Sequence, residues 1–150
     1  MRRAIALALE GVSGNQGGPF GAVIVKDGVI VGESFNRVLA TNDPTAHAEV
    51  GAIRAACRKL GTFELHGCEL YTSCEPCPMC LAAAYWARLD RVHYACERAD
   101  AARAGFDDSL LYDEVAKAMP ERKLAFGQML RDEGLAAFQA WLDKPDRTQY

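Results

Sequence analysis

No apolar run in this 150-residue chain approaches the roughly 20 residues that cross a bilayer. No secretory leader opens it either: Met1-Arg2-Arg3 leads into a short alternation of Ala, Ile and Leu, with Glu10 close behind. An excess of positive charge is also missing. Lys and Arg number 17 against 20 Asp and Glu, a formal net charge of −3, whereas a protein that lives on nucleic acid usually carries a basic face. Internal repeats and low-complexity segments are absent as well. The expectation is one domain spanning residues 1–150, placed in the cytoplasm, with neither membrane nor nucleic acid as partner.

What is present is ordinary in bulk. Half of the residues are apolar (50%) and a quarter charged (25%), enough for one core. The six cysteines are the exception. In a reduced compartment, clustered cysteines more often bind metal or do chemistry than pair with one another.

Residues 2–12 read as a helix, with Ile5, Ala8, Leu9 and Val12 at helical spacing. A glycine-rich loop, Gly14–Pro19, follows. Gly21–Lys26 and Val29–Glu33 read as strands joined by Asp27-Gly28, a strong hairpin signal. Ala46–Leu60 reads as a helix stopped by Gly61, Cys68–Ser73 as a strand, Met79–Arg88 as an alanine-rich helix entered through Pro76 and Pro78, and Arg91–Cys96 as a strand. This alternation predicts parallel pairing in an α/β layered fold. Further on, Glu97–Ser109 reads as a polar stretch and Leu110–Ala118 as a helix broken by Pro120. Phe126–Leu130 reads as a short edge strand and Leu135–Leu142 as a last helical turn or two. Lys144–Tyr150 has the polarity of a frayed tail.

Two segments carry the chemistry: Pro44-Thr45-Ala46-His47-Ala48-Glu49 and Thr72-Ser73-Cys74-Glu75-Pro76-Cys77-Pro78-Met79-Cys80. Each stands at a predicted helix start, on the sheet edge where α/β proteins bind ligands. Cys77 and Cys80 are three apart, so one helical face presents both thiolates to one ion. His47 adds a nitrogen. One nitrogen and two sulfurs suit tetrahedral zinc, and three protein ligands leave the fourth position to water, as in a catalytic site. Zinc brings the pKa of such a water to about 7. Glu49, two residues from His47, faces that water without ligating zinc. It is placed to take the proton from water, give it to a ring nitrogen and protonate departing ammonia.

His-x-Glu followed by Pro-Cys-x-x-Cys is the signature of zinc-dependent deaminases. The competing reading is a closed four-ligand zinc knuckle that enlists Cys74; it leaves Glu49 without a role. Cys74 otherwise reads as a strand-end thiol, and Cys57, Cys68 and Cys96 as core cysteines. His66 reads as a loop residue and His93 as a strand residue, neither with a partner at ligand spacing.

At these residues the chain resembles the cytidine deaminase-like superfamily. The strings Gly18-Pro19-Phe20-Gly21-Ala22-Val23, Asn42–Glu49, Tyr71–Cys80 and Ala104-Gly105-Phe106-Asp107-Asp108-Ser109 together look like its bacterial guanine deaminase branch. The likeness spans nearly the whole chain. Gly105–Asp108 and Phe138-Gln139-Ala140-Trp141 are its most discriminating parts, and Leu142–Gln149 departs from the pattern. The resemblance implies a three-layer α/β/α fold around a five-stranded mixed sheet, one zinc ion per subunit, and hydrolysis of guanine to xanthine and ammonia. It also implies a homodimer in which the C-terminal segment, about residues 100–150, swaps onto the partner and the terminal tyrosine closes the neighbouring active site. By position, it places Asn36, the backbone of Ala48, Trp86 and Tyr150 against the purine. It gives Asp108, ahead of Asp107, the exocyclic side of the base.

The same residues have plainer readings. Asn36 suits a turn, Asp107 and Asp108 suit caps for the helix at Leu110, and Trp86 suits a core. Glu133, read as part of a C-terminal loop, is a candidate second proton carrier. Other substrates also remain open at this point: guanosine, a triazine, or adenosine in tRNA. A zinc-bound interaction module with no catalysis is the reading from another class, and Glu49 argues against it.

Overall fold

The first hairpin shows how locally the sheet is specified. Strands β1 (Gly21–Lys26) and β2 (Val29–Phe35) are joined by Asp27 and Gly28. Both linking residues have left-handed backbone, φ 49° and 77°, as the tight turn matched to strand twist requires. The computed structural model describes residues 1–149. Two further strands, β3 (Cys68–Cys74) and β4 (Arg91–Cys96), complete a sheet of order β2-β1-β3-β4. β1 runs antiparallel to both neighbours, and β3 pairs with β4 in parallel. The expected parallel pairing therefore holds for β3–β4, while β1 is inserted between β2 and β3.

The sheet has four strands rather than the expected five. Phe126–Leu130, expected as an edge strand, is irregular backbone. Gly127 and Gln128 interrupt its apolar run, and a strand exists only through the ladder it joins.

Helix α1 (Arg2–Ser13) covers one face of the sheet. It buries Ala4, Leu7, Ala8 and Gly11, whereas Ile5, Leu9 and Val12 are exposed. The element is the expected helix, but its buried stripe is three small residues with Leu7 rather than the larger apolar set. Helix and sheet approach closely: a Cβ on Gly21 would lie 2.2 Å from the backbone oxygen of Ala4. Helix α3 (Ala48–Leu60) covers the opposite face, following the four-residue α2 (Val38–Thr41). It too packs closely, since a Cβ on Gly32 would meet the Ala52 oxygen at 2.4 Å. Gly61 ends α3 in left-handed backbone, φ 67°. Helix α4 (Pro78–Trp86) lies beside α3. Between sheet and α3 sits the main core, with Ile24, Leu65, Leu70 and Cys68 fully buried among Ala48, Ala52 and Ala56. The three layers expected from the sequence are thus α1, sheet, and α3 with α4.

The stretch 97–109 is not simply polar loop: α5 (Arg98–Arg103) starts there with a capping box between Glu97 and Asp100. Helix α6 (Ser109–Ala116), a short 3₁₀ turn (Met119–Glu121) and α7 (Arg131–Asp143) follow. Glu133 belongs to the first turn of α7, not to a loop. The helix there is longer than apolar periodicity predicted, because its first turn is charged.

The chain divides into two compact units, residues 1–111 and 112–150. In the second, no described residue is buried; Phe126, Met129, Phe138 and Leu142 are all exposed. No helix among the described residues is long and apolar enough to cross a membrane.

Candidate active site

Strands β2, β3 and β4 all run the same way, so their C-terminal ends meet at one edge of the sheet. Asn36 follows β2, Glu75–Cys77 follow β3, and Glu97 and Arg98 follow β4. That edge is where an open α/β sheet takes its ligand.

His47 is the N-cap of α3 and Cys77 the N-cap of α4, both with extended backbone. Cys80 lies one turn further along α4 and is fully buried. His47 Nδ1 is 3.6 Å from Cys77 Sγ and 3.4 Å from Cys80 Sγ. The three ligand atoms lie within 4.8 Å of one another, and no other such group occurs among the described residues. In tetrahedral zinc with Zn–N near 2.0 Å and Zn–S near 2.3 Å, the N···S edge is about 3.5 Å. The spacing and the donor set therefore both fit zinc.

Cys74 does not join them. It ends β3, is buried, and its thiol donates to the Glu97 oxygen at 3.6 Å; burial pushes it up to about 11. The closed four-ligand reading that enlists Cys74 has no support in this geometry. Cys57 and Cys68 pack in and against the core as expected, but Cys96 is exposed because it ends the edge strand β4. His66 is an exposed loop residue. His93 does have a partner: its Nε2 is 3.1 Å from Glu69 Oε2, and its ring stacks on Tyr71.

Glu49 is 5% exposed, in the first turn of α3. Its Oε1 accepts from the Thr72 hydroxyl at 3.2 Å, and its Oε2 is 3.4 Å from Cys80 Sγ. Burial raises its pKa above the ordinary carboxylate range, a condition for holding a proton as well as accepting one. The Cys77 thiol is drawn down to about 4, chiefly by its hydrogen bond with Cys80 and also by His47.

A cavity of about 420 Å³ opens over these groups. Asn36, Glu49, Cys77, Asp107 and Asp108 are among the residues that line it. Asn36 is buried, and its Oδ1 accepts from the backbone N–H groups of Gly18 and Val38, both at 3.2 Å. Its amide NH₂ is what remains to meet a ligand. Asp107 is engaged in capping: its Oδ1 accepts the Ser109 N–H at 2.9 Å, at the start of α6. At Asp108, burial raises the carboxyl while Arg98 opposes the shift. Ala48 is fully buried as the first residue of α3, with its backbone N–H at the helix N-terminus. Trp86 ends α4, is 65% exposed and does not line this cavity. Tyr150 lies outside the described residues.

Several lining residues escaped the sequence reading as site residues. Phe20 and Phe106 meet edge to face with ring centroids 5.1 Å apart, forming an apolar wall. Both sit inside the Gly18–Val23 and Ala104–Ser109 strings, which was the available signal. Glu75 and Arg98 carried none, since only the pairing of β3 with β4 brings residues 23 positions apart together.

Residues 1–96 match the model of the cytidine and deoxycytidylate deaminase zinc-binding region. Over its whole length the chain is 57% identical to a guanine deaminase of Bacillus subtilis, covering 96% of that protein. The X-ray structure of the Bacillus subtilis guanine deaminase superposes with a TM-score of 0.96 at 57% identity, covering 99% of this chain and 95% of the other. A tRNA-specific adenosine deaminase of Aquifex aeolicus is 49% identical, but over 51% of this chain and 51% of its own length. The His/Cys/Cys cluster and the zinc-binding region agree on zinc as the cofactor. The chain belongs to the cytidine deaminase-like superfamily and, within it, to the guanine deaminase family.

Proposed function

We propose that the chain hydrolyses guanine to xanthine and ammonia, with zinc held by His47, Cys77 and Cys80. The observation that carries this reading is the buried Glu49 carboxylate, 3.4 Å from a ligand sulfur and facing a purine-sized cavity. Zinc, when bound, supplies the Lewis acid that makes water nucleophilic at neutral pH. Glu49 takes a proton from the attacking water as its oxygen bonds to C2 of guanine, and passes the proton to an adjacent ring nitrogen. The second proton goes to the amine, the C2–N bond breaks, and ammonia leaves. Thr72 keeps Glu49 Oε1 aimed through its hydroxyl.

In this reading the Asn36 amide donates to the base, the Ala48 N–H contributes at the helix N-terminus, and Phe20 and Phe106 pack on the ring. Asp108 accepts an N–H on the amino-bearing edge. Asp107 holds the start of α6 in register beside it. Trp86 and Tyr150 contribute through assembly: we assign them to a homodimer whose C-terminal segment, about residues 100–150, is exchanged between subunits. Residues 112–149 support this, because a unit with many exposed apolar side chains and no buried residue needs a partner surface. A second proton-carrying role for Glu133 belongs to the same exchanged segment. Six free thiols, two of them metal ligands in this reading, suit a cytoplasmic enzyme.

The test is to incubate purified protein with guanine, guanosine, adenine, cytosine and tRNA and follow ammonia release. Guanine is the expected substrate. Turnover of another of these without turnover of guanine overturns the reading. Sedimentation reports the dimer, and removal of Thr148–Tyr150 is expected to impair turnover without changing the fold.

A further inference from the structure

Asp108 does not stand alone on the cavity wall. Arg98 Nε is 3.9 Å from Asp108 Oδ1, with side chains 41% and 20% exposed. The segment Cys96–Arg98 is fixed to the metal-ligand loop by three bonds across the ends of β3 and β4. The Glu75 N–H donates to the Cys96 oxygen at 2.8 Å, and the Cys74 thiol donates to the Glu97 oxygen at 3.6 Å. The Arg98 N–H then donates to Glu75 Oε2 at 3.2 Å. The capping box of Glu97 and Asp100 holds the same turn of α5 from within. The start of α5 is therefore pinned two residues from Cys77.

We propose that Arg98 is a positioning residue for substrate specificity: from a base tied to the Cys77 loop through Glu75, it places positive charge beside Asp108 and orients that side chain to accept an N–H of the amino-bearing purine edge. The inference rests on the guanine reading given above. The length of the ion pair matters. A tight, bidentate guanidinium would occupy the Asp108 oxygens. At 3.9 Å, Arg98 supplies charge and leaves the carboxylate lone pairs to the ligand. The cavity is otherwise largely apolar here, walled by Phe20, Phe106 and Leu111, where an uncompensated carboxylate would drift toward its neutral form. Beside an N–H donor, a charged carboxylate accepts more strongly than a neutral carboxyl, which keeps only its carbonyl oxygen as a good acceptor.

The experiment measures kcat and KM for guanine in R98A, R98Q, R98K, D108N and the double variant R98Q/D108N, each with its zinc content. Expected are a rise in KM of at least tenfold in R98A and R98Q, a fall in kcat of less than threefold, zinc at the parent level, and partial rescue in R98K. In the double variant, the loss is expected to match that of D108N alone, because Arg98 acts through Asp108. Unchanged KM in R98Q, a loss confined to kcat, or a double variant whose losses multiply overturns the inference. If D108N turns guanine over normally, the role of Asp108 fails, and with it the role of Arg98. If D108N is impaired and R98Q is not, the inference about Arg98 alone fails. Should R98A fold poorly, R98Q and R98K carry the same comparison.

Discussion

His47 and Cys77 are both N-cap residues, of α3 and α4 respectively, and their ligand atoms lie 3.6 Å apart. Two helices thus begin at the metal site. The Cys80 N–H in the first turn of α4 and the positive dipole ends of the two helices favour the thiolate form of Cys77 and negative charge in the cavity. His47 and Cys77 stand where loops enter packed helices, and Cys80 lies one turn into α4.

Zinc removal by a strong chelator is expected to abolish turnover and lower the thermal midpoint, since three buried or half-buried ligands lose their common partner. Added zinc restores both. His47→Ala and Cys80→Ser are expected to copurify with little zinc. Metal analysis beside differential scanning fluorimetry checks this.

Glu49→Gln retains the shape of the side chain and the Thr72 bond but loses the proton carrier. Turnover is expected to fall by about 10²–10⁴-fold with zinc content unchanged. Full activity in a zinc-loaded variant would remove Glu49 from the mechanism.

Gly17→Ala tests the Asn36 pocket. A Cβ there would lie 2.2 Å from Asn36 Oδ1 and 2.7 Å from the Asn36 backbone oxygen, so Asn36 must move. A stability loss of about 1–3 kcal/mol is expected from such overpacking, together with a higher KM for guanine. Chemical denaturation and steady-state kinetics measure the two effects separately.

Arg3 ties α1 to β2 through Glu33, with Nη2 to Oε1 at 2.7 Å, and also meets Glu10. The hydrogen bond from Arg3 holds the Glu33 carboxyl below its ordinary value of 4.5. A depressed folded-state pKa gives stability that is present above the unfolded value and is lost as pH falls through the folded one. The pair is partly exposed, so Arg3→Gln is expected to cost about 0.5 kcal/mol at pH 7. The gap between parent and variant should close as pH falls below the ordinary carboxyl value of 4.5 and through the depressed one of the folded state, as read from urea midpoints across pH.

The sequence by itself determined the hairpin, the central helices and the chemistry. Asp27-Gly28 forces a tight turn whatever surrounds it, Gly61 stops a helix wherever it stands, and the spacing of Cys77 and Cys80 is a property of one helical turn. The partner choices belonged to the tertiary structure. That α1 buries Ala4, Leu7, Ala8 and Gly11 rather than Ile5 and Leu9 follows from which side of the helix meets the sheet, closely enough at Gly21 to leave no room for a Cβ. That Cys74 stays out of the metal cluster follows from its bond to Glu97 on the neighbouring chain end. That Asp107 caps while Asp108 faces the cavity follows from the start of α6. Arg98 joins the site because β4 ends beside β3. The zinc signature repeats at fixed short spacing and so survives in one dimension. The substrate wall is assembled from the ends of different strands, and only packing brings those together.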